Sequence, residues 1–228
     1  MNERRIAKEI SVLIPAFNAR AFIRESIESI LNQTVLPGEI IVINDGSTDG
    51  TSDFLKSLNI DNLKVLDQTK QGVAAALNLG ITNSRGEILA FLDADDIWLP
   101  NKLEDQLEVI NEVDMAFTLI ENFIDLSIDI DLSQKLDVNL NPFIGIHKST
   151  LLIKKKAFLK VGLFERERKV ELLEWYARAK DAGLRESIVK KVLVKRRIHG
   201  SNQSILDKSL RNEFPKILKA ILDRRRQK

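Results

Sequence analysis

Apolar positions follow two rhythms in the first half of the chain. Short, largely unbroken apolar runs stand at 10–14 (ISVLI), 39–43 (EIIVI), 63–68 (LKVLDQ) and 87–96 (EILAFLDADD). Runs of this length, bounded by Pro, Gly, Asn or Asp, are the pattern of strands buried on both faces. Between them the apolar residues recur at helical spacing. Phe22, Ile23, Ile27, Ile30 and Leu31 share one side of a helix over 20–32. A helix at 49–57 follows the turn NDGSTDGT, and a helix of small residues covers GVAAALNLGITNS. NKLEDQLEVINE forms a helix entered by Pro100, a residue suited to a first helical turn. Strands alternating with helices over about 110 residues predict βαβ units on a parallel sheet, an α/β fold. Chemistry in such sheets collects beyond the carboxyl ends of the strands. Three polar loops would meet there: PAFNA, NDGSTDGT and DADDIW.

The second half alternates less cleanly. Residues 115–122 and 149–153 read as strands, 155–161 as a short helix, and 188–194 as a last strand. VELLEWYARAKDA, 170–182, is a helix stopped by Gly183. The acidic, poorly periodic stretch 125–143 is expected to be a long loop on the acceptor side. Over 205–226, Leu210, Phe214, Ile217, Leu218, Ile221 and Leu222 share one face, and the chain ends in DRRRQK. That is a basic amphipathic helix, which either touches anionic lipid as a peripheral contact or packs on the domain. The expected organisation is one domain over 1–204, with a nucleotide-binding half at 1–110 and an acceptor and metal half at 111–204, followed by the 205–228 helix.

Composition changes this picture little. With 44% hydrophobic and 30% charged residues in 228, the chain is an ordinary soluble domain. A net charge of +2 gives no reason to expect a nucleic-acid partner. The absence of cysteine excludes disulfides, thiolate metal sites and a Cys nucleophile, and it fits a cytoplasmic location, with a peripheral place at the inner membrane face if the last helix docks there. The N-terminal apolar run is broken by Pro15, Asn18 and Arg20, so it is expected to be a first strand and not a signal peptide. No apolar run approaches the ~18 residues that a membrane span needs.

The chemistry concentrates in a few stretches. Asp93 and Asp95 stand one residue apart at a strand end, where burying an unpaired carboxylate is costly. Together they suit one hard divalent cation such as Mg²⁺ or Mn²⁺, which takes oxygen ligands and keeps substrate phosphates in its shell. The alternative is that these acids cap the next helix or pair with Lys and Arg. In NDGSTDGT there is no P-loop lysine, but Asp45 can accept a hydrogen bond from a base N–H, while Ser47, Thr48 and Asp49 can cap a helix. In KRRIHGSNQS, His199 is either a structural imidazole or a ligand near a metal–diphosphate, with Arg196 or Arg197 meeting phosphate charge. His147 is read as structural. Glu171 and Glu174, at i and i+3, share a helix face and are either surface acids or a general base for an acceptor hydroxyl. Trp98 either stacks on a sugar or anchors the core.

Taken together, SVLIPAFNA, ESILNQT, EIIVINDGSTDGT, QGVAAALNLGI, GEILAFLDADDIWLPNKLEDQ, LLIKKKAFLKVGLF, EWYARAKDAGL and RRIHGSN resemble the family 2 glycosyltransferases of the GT-A fold. The segments run in family order over about residues 10–204, densely in the first half. The resemblance implies a single Rossmann-like GT-A domain with a mostly parallel central sheet flanked by helices. It implies inverting transfer of a sugar from a nucleotide-sugar, UDP-linked by family habit, with Mn²⁺ or Mg²⁺, to an acceptor hydroxyl. Glycan, lipid-linked sugar, small molecule and peptide all stay open as acceptors. By resemblance, Pro15, Ala16 and Asn18 would lie along the nucleotide and Asp45 would bind the base. Gly72 and Asn78 would lie by the ribose and diphosphate, and Asp93 would face ribose or metal. Asp95 and His199 would hold the metal.

The chain departs from the family at two places. Many members carry an Arg where Ala76-Leu77-Asn78 stands, and the Asp of the usual Glu-Asp base motif is Leu172. Glu174, before Trp175, is then the expected base, with Glu171 as the alternative. Leu172 also raises a second reading, a nucleotide-sugar binder without turnover. A third is a haloacid-dehalogenase-type phosphatase, whose strand–DxD looks similar but lies near the start of its domain.

Overall fold

The computed structural model describes residues 5–125, 139–166, 170–200 and 202. The expected helix at 205–228 and most of the 125–143 loop therefore lie outside the described residues.

The first half forms as expected, with β1 and β2 longer than the apolar runs. β1 (Arg5–Ala16) leads to α1 (Ile23–Leu31), β2 (Val35–Asp45), α2 (Thr51–Ser57), β3 (Leu63–Gln68), α3 (Val73–Asn83) and β4 (Ile88–Phe91). β2 lies parallel to β1 and β3, and β4 lies parallel to β1. The expected strand at 87–96 stops early, because Asp96 N–H turns back to the Asp93 carbonyl at 3.1 Å. A two-residue β5 (Ile97–Trp98) and α4 (Lys102–Ile110) follow.

The second half extends the sheet with mostly antiparallel pairing. It contains β6 (Met115–Ile124), β7 (Phe143–Ile144), β8 (Leu152–Lys154), α5 (Lys155–Val161), α6 (Glu171–Asp181) and β9 (Glu186–Ile198). The predicted 149–153 strand begins instead as a 3-10 turn at Lys148–Thr150. The sheet order is β3-β2-β1-β4-β8-β6-β9-β5, with β7 on β6. β8 runs antiparallel to β4 and β6, while β9 runs parallel to β6. The sheet is thus parallel in its nucleotide half and mixed beyond it, within an α/β fold.

Strand alternation splits the core into two layers. Val12, Ile14, Ile40 and Val42 face α1 and α4, meeting Ile23, Ile27, Ile30 and Leu103. Leu13, Ile41, Ile43, Leu89 and Phe91 face the other way, toward Leu77 and Ile81 of α3, Phe158 of α5 and Trp175 of α6. The small residues of α3 have a steric cause. A Cβ on Gly80 would sit 2.7 Å from Ile43 Cδ1 and 3.3 Å from Leu13, so the helix approaches the sheet more closely than a side chain allows. On that layer Phe158 stacks on Trp175 at 4.5 Å and 8°, and Trp175 Nε1 donates to the Gly162 carbonyl. Such a ring pair adds about 0.5–1.5 kcal/mol beyond its buried area.

Parallel pairing brings the carboxyl ends of β1, β2, β3 and β4 to one edge. Pro15 stands beside Ile43, Ala16 beside Asn44, and Asp45 beside Gln68. The candidate site is built on this edge. Among the described residues, no helix is long and apolar enough to cross a membrane.

Candidate active site

The cleft is lined first by loops that bind each other. Asn18, at φ 50°, accepts from Thr48 N–H through its side chain, and its own N–H donates to Ser47 Oγ. Arg20 N–H donates to Asp49 Oδ2, and Thr51 donates to Asp49 Oδ1. Burial alone would raise the pKa of Asp49, but these hydrogen bonds outweigh it and hold the group below its usual range. NDGSTDGT therefore clamps the PAFNA loop as well as opening α2. Pro15 and Ala16 form the β1 edge of the same wall, with Ala16 buried.

Asp45 is also engaged from within. Its carboxylate accepts from Gln68 Nε2 (2.6 Å), Gln71 N–H (2.7 Å) and Gly72 N–H (2.8 Å). It fixes the turn that starts α3, where Gly72 sits at φ 92°. Asn78 is engaged within the fold as well. Its amide donates to the Phe164 carbonyl (2.9 Å) and accepts from Phe164 N–H (3.0 Å). Asn78 thus clamps α3 to the loop before α6.

The acid turn is the centre of the site. It exposes Asp93 and Asp95 in part and buries Ala94 and Asp96. Ser26 of α1 holds the turn by donating to the Ala94 and Asp96 carbonyls, both at 2.8 Å. Asp95 Oδ2 lies 3.0 Å from His199 Nε2, and Asn202 Nδ2 donates to the same oxygen at 3.1 Å. For Asp95, burial pushes the pKa up, but the hydrogen bond and charge of His199 outweigh it and favour the carboxylate. Phe22 packs on the His199 ring at 4.3 Å. Asp96 behaves oppositely: burial and the neighbouring Asp95 and Asp93 charges push it well above the usual carboxylate range. Ser149 Oγ donates to Asp96 Oδ2 at 2.6 Å and accepts from Asp93 N–H, tying the turn to the 3-10 segment. Trp98 is 2% exposed and donates to the Ser149 carbonyl, so it anchors the core.

Sequence reasoning passed over two residues that the fold delivers here. His147 Nε2 lies 3.7 Å from Asp93 Oδ2, and Nδ1 lies 3.7 Å from Asp96 Oδ2. Burial, reinforced by Lys148 and Arg196 and opposed by Asp93, pushes its pKa down to about 4, so it is neutral near pH 7. Lys148 Nζ lies 2.7 Å from Glu171 Oε1 and 3.5 Å from Asp93 Oδ1. Burial would lower its pKa, but Asp93 and Glu171 dominate and hold it protonated. Neither residue has a local sequence signal, because both reach the acids across about 50 residues of chain.

The donor set suits a hard divalent ion. Among the described residues, Asp93, Asp96 and His147 offer ligand atoms that all lie within 4.8 Å of one another, while Asp95, on the same turn as the two acids, pairs with His199. Oxygen and imidazole donors without thiolate match Mg²⁺ or Mn²⁺.

The two candidate bases differ. Glu174 is 1% exposed, and Arg178 Nε reaches both its oxygens at 3.0–3.1 Å while the guanidinium also donates to the Val161 and Leu163 carbonyls. This ion pair ties α6 to the end of α5 and the segment after it. Glu171 instead joins Lys148 beside Asp93. Of the two arginines, Arg197 is buried and engaged with the Asp95 carbonyl, Asp125 and Glu25, whereas Arg196 lies near His147.

A family model described as glycosyl transferase family 2 matches residues 11–164. The chain belongs to that family. Its family 2 relatives include an uncharacterized glycosyltransferase of Rickettsia typhi, 34% identical over 179 residues, covering 72% of this chain and 56% of the relative. One from Rickettsia prowazekii is 35% identical over 170 residues, covering 68% of this chain and 53% of the relative. The chain thus spans about half the length of these relatives. Among solved structures, Staphylococcus aureus TarS with UDP-GlcNAc superposes with a TM-score of 0.70 at 21% identity, over 93% of this chain and 65% of that one. A second TarS structure gives a TM-score of 0.66 at 23% identity, over 83% and 37% of the two chains. These neighbours share the GT-A fold with this family 2 chain.

Proposed function

We propose that the protein is an inverting glycosyltransferase that moves a sugar from a UDP-linked donor to an acceptor hydroxyl. The observation that carries this reading is the Asp95–His199 pair at 3.0 Å, beside Asp93 at the carboxyl edge of the sheet, in a family 2 chain. The UDP-GlcNAc bound to TarS, a neighbour in fold, supports the choice of donor class.

Asp95, His199 and Asp93 would hold Mn²⁺ or Mg²⁺, with His147 close by. Such an ion, when bound, offsets negative charge on a diphosphate. Pro15, Ala16 and Asn18 line the nucleotide wall, and Asp45 with Gly72 shapes its floor. In the transfer, the acceptor oxygen bonds to the anomeric carbon as the carbon–diphosphate oxygen bond breaks. The leaving diphosphate takes the electron pair, and the acceptor proton passes to a carboxylate. Glu171 is favoured as base because Lys148 links it to Asp93 and contacts only its Oε1, whereas Arg178 engages both oxygens of Glu174. General-base assistance of this kind is worth about 10²–10⁴-fold.

A binder without turnover is the second reading. Leu172, 5% exposed and packed in the layer of Phe158 and Trp175, stands where the family's aspartate base would be. A thermal-shift screen of nucleotides and UDP-sugars with and without Mn²⁺, followed by a UDP-release assay with candidate acceptors, tests both. Transferase function requires an ion-dependent rise in melting temperature and release of UDP. A rise without release identifies a binder, and no rise with any nucleotide defeats both readings.

A further inference from the structure

Lys148 is a cation shared between the acid turn and α6. Its ammonium bridges Glu171 on α6 and Asp93 on the acid turn, 2.7 Å from one and 3.5 Å from the other. The three side chains are unequally sealed. Glu171 is 3% exposed, but Lys148 is 18% and Asp93 22% exposed, so the bridge opens onto the cleft on the Asp93 side. A lysine serving only to tie α6 to the turn would be expected to close both contacts. The other positive groups nearby are differently placed. Arg197 is buried among Asp95, Asp125 and Glu25, and Arg196 lies near His147. A compact ammonium on a flexible stem can exchange one carboxylate for a phosphate oxygen with little rearrangement.

We infer that Lys148 is a diphosphate-binding residue of the donor site, a cation supplied by the chain itself that grips the pyrophosphate whether or not a metal ion is present. The inference rests on the nucleotide-sugar reading. Binding needs only the Asp93 contact to be given up, since the Glu171 contact is the shorter one. Lys148 thereby joins donor recognition to the acid proposed as base.

The test is calorimetric, on the full chain, with UDP and uridine as probes in EDTA and in Mn²⁺. In EDTA the wild-type protein should hold UDP at least about tenfold more tightly than uridine, the scale of one charge-assisted contact. Lys148→Met should lose at least about tenfold of that UDP preference in EDTA while leaving uridine affinity unchanged, and Lys148→Arg should keep most of it. Uridine affinity reports that each variant is folded. If wild type in EDTA binds UDP no more tightly than uridine, the inference is overturned without recourse to any variant. If Lys148→Met keeps the wild-type preference, it is overturned while the nucleotide-sugar reading stands. If wild type binds UDP in neither buffer, the nucleotide-sugar reading fails and takes the inference with it.

Discussion

His199 and Asp95 stand 104 residues apart in sequence, yet Nε2 and Oδ2 meet at 3.0 Å. β9 carries the histidine past the acid turn because it pairs with β6 and β5, not with its sequence neighbours. If this pair holds a divalent ion, Asp95→Asn and His199→Ala should each abolish the Mn²⁺-dependent part of the UDP thermal shift. The shift seen in EDTA should stay. Differential scanning fluorimetry at fixed UDP measures both.

Glu174 and Glu171 should separate stability from turnover. Breaking a buried ion pair costs about 3–5 kcal/mol, and the partial exposure of Arg178 puts Glu174→Ala at the lower end of that range. Glu171→Gln preserves the shape of the buried side chain. It should lower kcat by about 10²-fold or more. Because it also neutralises the buried partner of Lys148, it should lower the melting temperature, but less than Glu174→Ala does. Denaturant unfolding combined with UDP-release kinetics checks the pair. Loss of turnover in a folded Glu174→Gln variant, with Glu171→Gln fully active, would reverse the assignment.

Asn78 should behave as a structural residue. Asn78→Ala leaves the Phe164 N–H and carbonyl without their partner, at a cost of about 1–3 kcal/mol for each buried group left unsatisfied. UDP affinity of the folded variant should match wild type. A large loss of UDP affinity without loss of stability would place Asn78 back on the nucleotide.

Acid stability should depend on Glu39. This carboxylate, 5% exposed, accepts from Ser11 Oγ at 2.6 Å and from Arg85 N–H and Nε, bridging β1, β2 and the turn before β4. Burial pushes its pKa up, but those hydrogen bonds and the Arg85 charge outweigh it and leave it below the usual value. A lowered folded-state pKa means that the unfolded chain takes up the proton first as pH falls. The stabilisation is therefore full above the unfolded glutamate value of about 4.3 and is lost as pH drops through the folded one. Glu39→Gln should be less stable than wild type at pH 7, with a shallower decline below that value. Equal slopes for the two proteins would remove Glu39 from the acid response.

The strand and helix pattern of the first half was legible because it depends on short-range rules. β-branched runs ended by Pro15 or by NDG, and the small residues of α3, need no knowledge of distant chain. The same is true of the acid pair, which a single turn presents to solvent together. Family motifs pointed to the cleft because they lie at strand ends, and parallel pairing must bring those ends together. Partner choice was not legible. Asp45 is caught by Gln71 and Gly72, Asn78 by Phe164, Glu174 by Arg178, and Lys148 bridges Asp93 and Glu171. Each polar group had several chemically equivalent partners in the sequence. Only the sheet order, which inserts β8 between β4 and β6 and carries β9 beyond them, decided which came within hydrogen-bonding distance. Local sterics and hydrophobic period set the elements, whereas the pairing of buried charges is a property of the closed tertiary structure, where each must find a partner or lose its solvation uncompensated.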